Sequence, residues 1–157
     1  MKSPSRSDSA PSTHVDLDRA RRVFRVEITA LEAVLERLDA GFVRALDLLE
    51  GCRGKVVVTG MGKSGIIGRK IAATMTSTGT PALFLHAAEA AHGDAGVFVK
   101  GDVVVALSTS GETEVVQLLP LIKRLGIPVI AMTGKPSSTL GRAAEVAPVG
   151  GCPRRQR

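Results

Sequence analysis

A buried strand, a tight turn and a helix are predicted for the stretch Val56-Val57-Val58-Thr59-Gly60-Met61-Gly62-Lys63-Ser64-Gly65. Three consecutive valines favour a strand that is covered on both faces, because β-branched side chains pack well on a pleated sheet. The glycines allow a sharp turn and let a ligand approach the main chain closely. We expect the helix to begin at Lys63 or Ser64, so that its free N–H groups form an anion site at the turn.

Two nucleotide-binding motifs resemble this stretch, and neither fits it. The dinucleotide motif G-x-G-x-x-G matches Gly60 to Gly65, but it requires an acidic residue about 20 positions further on. The sequence has His86 at the end of the second predicted strand, so a dinucleotide site is disfavoured. A P-loop requires a glycine where this chain has Val57, which excludes that motif.

The composition is that of one globular domain. The chain has 157 residues, of which 44% are hydrophobic and 3% aromatic. So few aromatic residues argue against a stacking platform for nucleic acid. The net charge of +6 would help to attract a phosphorylated substrate. Cys52 and Cys152 have neither metal nor disulfide spacing. No apolar run predicts a membrane span and no signal peptide is evident, so we expect a cytoplasmic protein without nucleic-acid or membrane partners.

The chain before this stretch is predicted to hold a tail and two helices. Residues 1–14 are rich in Ser and Pro, which is typical of a disordered tail. Apolar residues then recur at helical spacing in two groups, with Asp16 as a possible cap of the first helix. Whether these helices cover the sheet or pack on a second subunit stays open. The two groups are Phe24, Ile28, Leu31, Leu35 and Leu38, and then Phe42, Leu46 and Leu49 before Gly51.

Strands and helices alternate after the turn, which predicts a three-layer α/β fold with a central parallel sheet. Ligands of such sheets lie beyond the carboxyl ends of the strands, where loops 60–64, 108–113 and 133–138 would meet. The further strands are predicted at 82–85, 102–107, 127–132 and from 145 to 149. The helices are predicted at 64–77, 87–92, 115–125 and 137–144.

Hydroxyl groups and helix N-termini in these loops suit a phosphate monoester. We predict Ser108, Ser110 and Thr113 as phosphate ligands, although each could instead serve as a local cap. Lys63 would place a positive charge at a helix start, which the helix dipole disfavours, so its position favours a functional role. The remaining predicted substrate-binding residues are Gly62, Ser64, His86, Thr109 and Gly111.

Several motifs in this order resemble the sugar isomerase (SIS) domain family, in its arabinose 5-phosphate isomerase branch. They are 60-GMGKSG-65, 77-STGTP-81, 89-EAAHGD-94 and 108-STSGET-113. The resemblance covers about residues 20–146. It implies interconversion of D-arabinose 5-phosphate and D-ribulose 5-phosphate, in the synthesis of a lipopolysaccharide sugar. It also implies a homotetramer and a pair of CBS modules after the SIS domain.

The resemblance also implies a mechanism. Lys63 matches the active-site lysine of the family and would stabilise an enediolate, which a carboxylate forms by removing a proton beside the carbonyl. That carboxylate is Glu112 or Glu114, and Glu112 could equally complete a capping box with Thr109. His86 and His92 could move protons near neutral pH, but two histidines are too few for a metal site. We expect no cofactor and no metal.

The C-terminal part departs from the family pattern. We expect an incomplete SIS domain over residues 15–149, an atypical tail over 150–157, and no CBS pair. The resemblance places a further acid and a histidine in the portion that has no counterpart here, so isomerase activity is expected to be impaired. The alternative is a sugar-phosphate binding module without catalysis.

Overall fold

A computed structural model describes residues 13–91 and 94–148 of the chain. The chain divides into two compact units, with the boundary between residues 36 and 37. The first unit contains one helix, and the second contains the sheet and the other helices. The helices are α1 (Thr13–Leu35), α2 (Ala40–Glu50), α3 (Gly62–Ser77), α4 (Ala87–Ala91), α5 (Leu119–Arg124) and α6 (Thr139–Ala143). The strands are β1 (Val56–Gly60), β2 (Ala82–His86), β3 (Val103–Ser108) and β4 (Val129–Thr133).

Helix α1 starts earlier than the sequence predicts. It begins at Thr13, so the predicted disordered tail is wrong for residues 13 and 14. Asp16 lies inside the first turn, where a negative charge favours the helix dipole, and it is not the cap. Residues 1–12 of the predicted tail lie outside the described residues.

The sheet confirms the predicted parallel α/β fold. Its strand order is β2-β1-β3-β4, and all three strand pairs are parallel. Every residue of the two central strands β1 and β3 is buried, as their continuous apolar sequences predict. The register aligns Gly60 with His86 on one side and with Leu107 on the other.

Helices cover both faces of this sheet, so the predicted three layers are present. On one face, side chains of α2 and α3 pack on alternate residues of the strands, among them Val56, Val58 and Val103. On the other face, residues of α4, α5 and α6 pack on Val57, Val104 and Ala106. The two sets alternate along each strand because successive side chains of a strand point to opposite faces.

Glycine lets α3 approach β1 closely. A Cβ atom at Gly65 would lie 3.1 Å from the carbonyl oxygen of Gly60, and one at Gly60 would lie 3.1 Å from the carbonyl oxygen of Leu107. Both distances are tighter than ordinary van der Waals contacts. The close approach places the first turn of α3 directly above the carboxyl end of the sheet.

The segment after residue 113 differs from the single helix that the sequence predicts. It opens as a 3₁₀ segment, Glu114–Leu118, and becomes helical only at Leu119. Pro120 explains the break, because it has no N–H to donate to the preceding turn and is tolerated only where a helix begins. Val115, Leu118 and Ile122 nevertheless lie buried in the core, at the spacing of a helix face.

Other element ends are also shifted. The predicted strand from 145 to 149 is reduced to one bridge between Val146 and Ile130, and residue 149 lies outside the described residues. The strand predicted at 127–132 starts at Val129, and the helix predicted at 137–144 starts at Thr139 because Ser138 is its N-cap. His86 is the last residue of β2 and does not follow it.

A buried ion pair holds the amino ends of β1 and β3 together. Asp102, only 1% exposed, accepts hydrogen bonds from Lys55 Nζ at 2.8 Å, from the Lys55 amide at 3.0 Å and from the Val99 amide at 3.0 Å. Burial alone would raise the pKa of Asp102, but these donors and the Lys55 charge outweigh it and lower the pKa. The Asp102 amide donates to the Val99 carbonyl at 3.2 Å and not to a neighbouring strand, so β3 begins one residue later than predicted.

Candidate phosphate-binding site

Neighbouring strands deliver the predicted site residues to one edge of the sheet. Gly60 ends β1 and lies beside His86 of β2 and Leu107 of β3. The first turn of α3, which contains Lys63, therefore lies between His86 and the loop that starts at Ser108. The structure thus brings the predicted residues on β1, β2 and β3 to one side of the sheet.

The first turn of α3 offers main-chain donors. Gly62 starts the helix with a φ of 51°, a conformation that favours glycine, and no side chain caps the helix at Met61. The amides of Gly62, Lys63 and Ser64 have no acceptor within the helix, because an α-helix leaves its first N–H groups unbonded. Lys63 is exposed at this turn and Ser64 is half-buried. This turn can therefore bind an anion.

Ser108 forms two hydrogen bonds that fix the conformation of the loop after β3, residues 108–113 (the β3 loop). Its Oγ accepts a hydrogen bond from the Gly111 amide at 3.0 Å and one from Thr113 Oγ1 at 3.0 Å. The residue is 2% exposed, which leaves little surface for direct contact with a ligand. The geometry favours a role in positioning Thr113, and direct ligation by Ser108 stays a prediction.

Ser110 and Thr109 lie at the open side of the same loop. Ser110 is half-buried, and its Oγ accepts a hydrogen bond from the Glu112 amide at 3.3 Å. This bond spans two residues and closes a local turn, so it is not a helix cap. Thr109 is exposed. Ser110 is the hydroxyl of this loop best placed to meet a ligand while still holding its turn.

The loop that follows β4, residues 133–138 (the β4 loop), and the start of α6 both form hydrogen bonds with the β3 loop. The Gly134 amide donates to the Thr109 carbonyl at 3.1 Å, and the Leu140 amide donates to the Gly111 carbonyl at 3.1 Å. Gly111 has a φ of 68°, and a Cβ atom there would overlap Ser138 Oγ. The β4 loop was predicted to line the site. In the structure it fixes the backbone of the β3 loop by these contacts.

Glu112 connects these two loops through its side chain. Its Oε1 accepts a hydrogen bond from the Thr139 amide at 2.8 Å, at the start of α6. This bond lowers the pKa of Glu112, with a smaller contribution from the nearby charges of Arg142 and Lys135. The predicted capping box with Thr109 is wrong, because the carboxylate caps another helix. Glu114, the alternative acid, is exposed at the start of the 3₁₀ segment.

Of the two histidines predicted for the site, His86 and His92, the structure describes only His86. His86 is half-buried, and its ring meets the Phe84 ring edge-on with centroids 6.4 Å apart. The Arg69 guanidinium lies 4.7 Å from the centroid of Phe84, so this corner of the site is partly cationic. His92 lies outside the described residues. Within residues 13–91 and 94–148, no cluster of three His, Cys, Asp or Glu could hold a metal ion.

A groove of about 770 Å³ lies elsewhere, between α5, β4 and α6. Its lining includes Leu119, Lys123, Val129 and Arg142, and none of the predicted site residues that the structure describes. We therefore assign the site from the loops and not from the groove. No helix among the described residues is long and apolar enough to cross a membrane.

Residues 48–147 match the SIS domain, which includes all four strands and the three loops. The chain belongs to the SIS domain family.

Two curated SIS relatives carry the name arabinose 5-phosphate isomerase KdsD. The protein of Pseudomonas aeruginosa is 58% identical over 128 residues, which are 81% of this chain and 39% of that protein. The protein of Escherichia coli is 49% identical over 127 residues, again 80% of this chain and 39% of the relative. The chain therefore spans about two fifths of the length of these relatives.

A solved SIS structure agrees with the fold. It is an Escherichia coli protein in complex with arabinose 5-phosphate, with a TM-score of 0.81 and 39% sequence identity. The match covers 88% of this chain and 74% of that one.

Sequence reasoning missed how the SIS loops support one another. Ser138 Oγ accepts a hydrogen bond from the Gly141 amide at 3.2 Å and so caps α6, while its side chain packs on Gly111. A serine ahead of a short helix is a recognisable capping signal. The contact of Glu112 with Thr139 spans 27 residues, and no local pattern indicates it.

Proposed function

We propose that this chain is the sugar-phosphate-binding part of an aldose–ketose isomerase acting on D-arabinose 5-phosphate and D-ribulose 5-phosphate. The observation that supports this most is the pairing of two anion-binding loops on adjacent strands, the α3 turn and the Ser108–Thr113 loop. A relative solved with arabinose 5-phosphate supports the choice of sugar. A cytoplasmic homotetramer in lipopolysaccharide synthesis belongs to the same proposal.

In this proposal the phosphate lies against Ser110 and Thr113, and the sugar carbonyl lies toward Lys63. A carboxylate of the β3 loop removes the proton from the carbon beside the carbonyl. The positive charge of Lys63 stabilises the resulting enediolate, and return of the proton to the neighbouring carbon completes the isomerisation. Lys63 is exposed at the first turn of α3, at the same edge of the sheet as the Ser108–Thr113 loop, which supports this role.

The two candidate bases differ in their environment. A lowered pKa makes Glu112 a weaker base, and the hydrogen bond from the Thr139 amide occupies one of its two carboxylate oxygens. Glu114 is exposed and starts the next segment. The hydrogen bond from Thr139 gives Glu112 a structural role that does not require catalysis. This bond favours a second candidate function, a sugar-phosphate binding module without catalysis.

Binding and turnover of residues 1–157 test these functions separately. Calorimetric titration should show binding of arabinose 5-phosphate and much weaker binding of arabinose. Ser110→Ala should weaken binding of the phosphate about tenfold or more, because a charge-assisted hydrogen bond is worth about 1.5–3 kcal/mol. Ser77→Ala, on the far end of α3, is the control. Equal losses for arabinose and its phosphate would show that Ser110 does not bind the phosphate.

Turnover is measured as formation of the ketose 5-phosphate. Lys63→Ala should reduce any turnover by orders of magnitude, since it removes charge that acts in the transition state. Lys70→Ala, exposed further along the same helix, is the matched control. Binding without turnover would select the non-catalytic module, and absence of binding would overturn both functions.

A further inference from the structure

The groove of about 770 Å³ between α5, β4 and α6 has the size and the lining of a site for a small organic molecule. Its apolar lining includes Leu119 and Pro120 of α5, Val129 of β4 and Ala143 of α6. Mainly apolar clefts of about 300–1,000 Å³ with a few polar groups are typical of such sites. All residues that line the groove belong to the second compact unit, so its shape does not depend on where α1 lies.

Two cationic side chains line the groove together with these apolar residues. Lys123 lies in the last turn of α5, and Arg142 lies in the last turn of α6. Lys123 is exposed and takes part in none of the ion pairs within residues 13–91 and 94–148. Arg142 donates a hydrogen bond to the Ser137 carbonyl, which is a neutral acceptor. Both positive charges are therefore available to a ligand.

The carboxylate of Glu145 is paired with a cation outside the groove. Glu145 is the one acidic residue among the described residues of the lining, and it pairs with Arg44 at 3.2 Å. Arg44 does not line the groove. Because clefts with apolar walls and charges of one sign attract counter-ions, this groove favours an anionic ligand.

We propose that the groove binds a small organic anion, which has an apolar body and one carboxylate, sulfonate or phosphate group. The apolar body lies against Leu119 and Ala143, and the anionic group faces Lys123 and Arg142. A sugar phosphate suits the groove poorly, because it has no apolar body to cover these walls. Residues 149–157 of this chain suit it poorly as well, since they include three arginines and no acidic residue.

This site is separate from the proposed sugar-phosphate site. None of the described residues predicted for that site lines the groove, so either proposal can fail without the other. The two sites approach each other at α6, because Thr139 lines the groove and donates its amide to Glu112. The variants that test the groove are therefore placed at Lys123 and Ala143 and not at Thr139.

Two naphthalene dyes test the class of ligand. Anilinonaphthalenesulfonate combines an apolar body with one sulfonate group, and phenylnaphthylamine has the same body without the charge. Fluorescence titration of residues 1–157 should show about tenfold tighter binding of the sulfonate, because it alone gains from the two cations. Equal affinities for the two dyes would mean that charge takes no part in binding, and would overturn the proposal.

Reversal of one charge at the end of α5 tests where the sulfonate binds. Lys123→Glu should weaken its binding about tenfold, since repulsion replaces attraction. Arg124→Glu is the matched control, because Arg124 is exposed in the same turn but does not line the groove. If the two variants weaken binding equally, the dye responds only to the net charge of the protein and the proposed site is wrong.

A variant that fills the groove tests the site without a change of charge. Ala143→Leu should weaken binding of the sulfonate about tenfold, because the larger side chain takes up part of the space. Ala73→Leu, at an exposed alanine of α3, is the control. Unchanged binding by Ala143→Leu would overturn the proposal. So would a dye affinity that falls as the protein concentration rises, because a second copy would then cover the groove. Circular dichroism of each variant checks that the helices and the sheet remain folded.

Discussion

The conformation of Gly111 determines how tightly the two loops of the site can close. Its φ of 68° places it in the left-handed region, where a side chain is strained. The neighbouring Ser138 leaves no room for a methyl group, since a Cβ atom would lie 2.5 Å from Ser138 Cβ. Backbone strain and close packing therefore act at the same residue.

Substitution of two glycines separates these effects. Gly126 has a φ of 67° but nothing within 4 Å of its Cβ position. We expect Gly126→Ala to lower the free energy of unfolding by about 1–2 kcal/mol. Gly111→Ala should cost about 1–3 kcal/mol more, because an overpacked site adds to the strain. Urea denaturation of both variants measures the difference. Equal costs would mean that the loop moves aside without penalty.

The carboxylate of Asp102 is a second group whose removal should lower the stability of the fold. Asp102→Asn should lower the free energy of unfolding by about 3 kcal/mol at neutral pH, since it leaves the partly buried Lys55 ammonium without its counterion. Lys55 keeps a quarter of its side chain exposed, so water can compensate in part. Asp47→Asn, an exposed aspartate on α2, should have little effect.

The difference in the free energy of unfolding between the wild type and Asp102→Asn should depend on pH, because the pKa of Asp102 is lowered in the folded state. A depressed pKa adds stability above the pKa of the unfolded chain, about 3.9 for an aspartate. That stability is lost as the pH falls through the lower pKa of the folded state. The gap between the wild type and Asp102→Asn should therefore be constant near neutrality and shrink in strong acid. A gap that grows in acid would contradict the assigned direction.

At the scale of elements, two hydrogen bonds join the β3 loop to the start of α6, one to the Glu112 side chain and one to the Gly111 carbonyl. The carboxylate of Glu112 meets the N-terminal end of α6, where a negative charge is favourable. Arg142 and Lys135 add positive charge on the same side. The link would hold the phosphate loop in place whether or not Glu112 also moves a proton.

Removal of the Glu112 side chain tests this link. Glu112→Ala should lower the unfolding temperature and weaken binding of arabinose 5-phosphate, whereas Glu114→Ala should leave the unfolding temperature unchanged. The pKa of Glu112 is lowered in the folded state, so its contribution is present above about pH 4.3 and is lost as the pH falls through the lower value. Thermal melts at several pH values measure it. An effect that persists unchanged in strong acid would show that the charge is not involved.

The sequence predicts elements well where one residue pattern dominates. The valine runs of β1 and β3 and the order of strands and helices are visible without a structure. The ends are less predictable because they depend on single features, such as the bond from the Asp102 amide to the Val99 carbonyl, or Pro120 in the segment after the β3 loop. The site is predictable as a set of loops. That Ser108 is enclosed, and that Glu112 reaches α6, follow only from the packing of distant loops.

At the scale of the whole molecule, burial predicts how the chain opens. The amides of β1 and β3 lie between two neighbouring strands in a fully buried layer. Their exchange with solvent requires nearly complete unfolding. Strand β2 lies at the edge of the sheet, and only Leu85 among its residues is buried. It can detach while the rest of the sheet stays folded, so its amides should open at a lower free energy.

Hydrogen exchange measured residue by residue tests this order. We expect the amides of β2 that bond to β1 to exchange faster than those of β1 and β3, because edge opening costs fewer contacts. Amides of α1 should exchange faster still, since its apolar residues are exposed. Exchange from β2 as slow as from β1 would mean that the sheet opens only as a unit, and that partial burial of an edge strand does not lower its stability here.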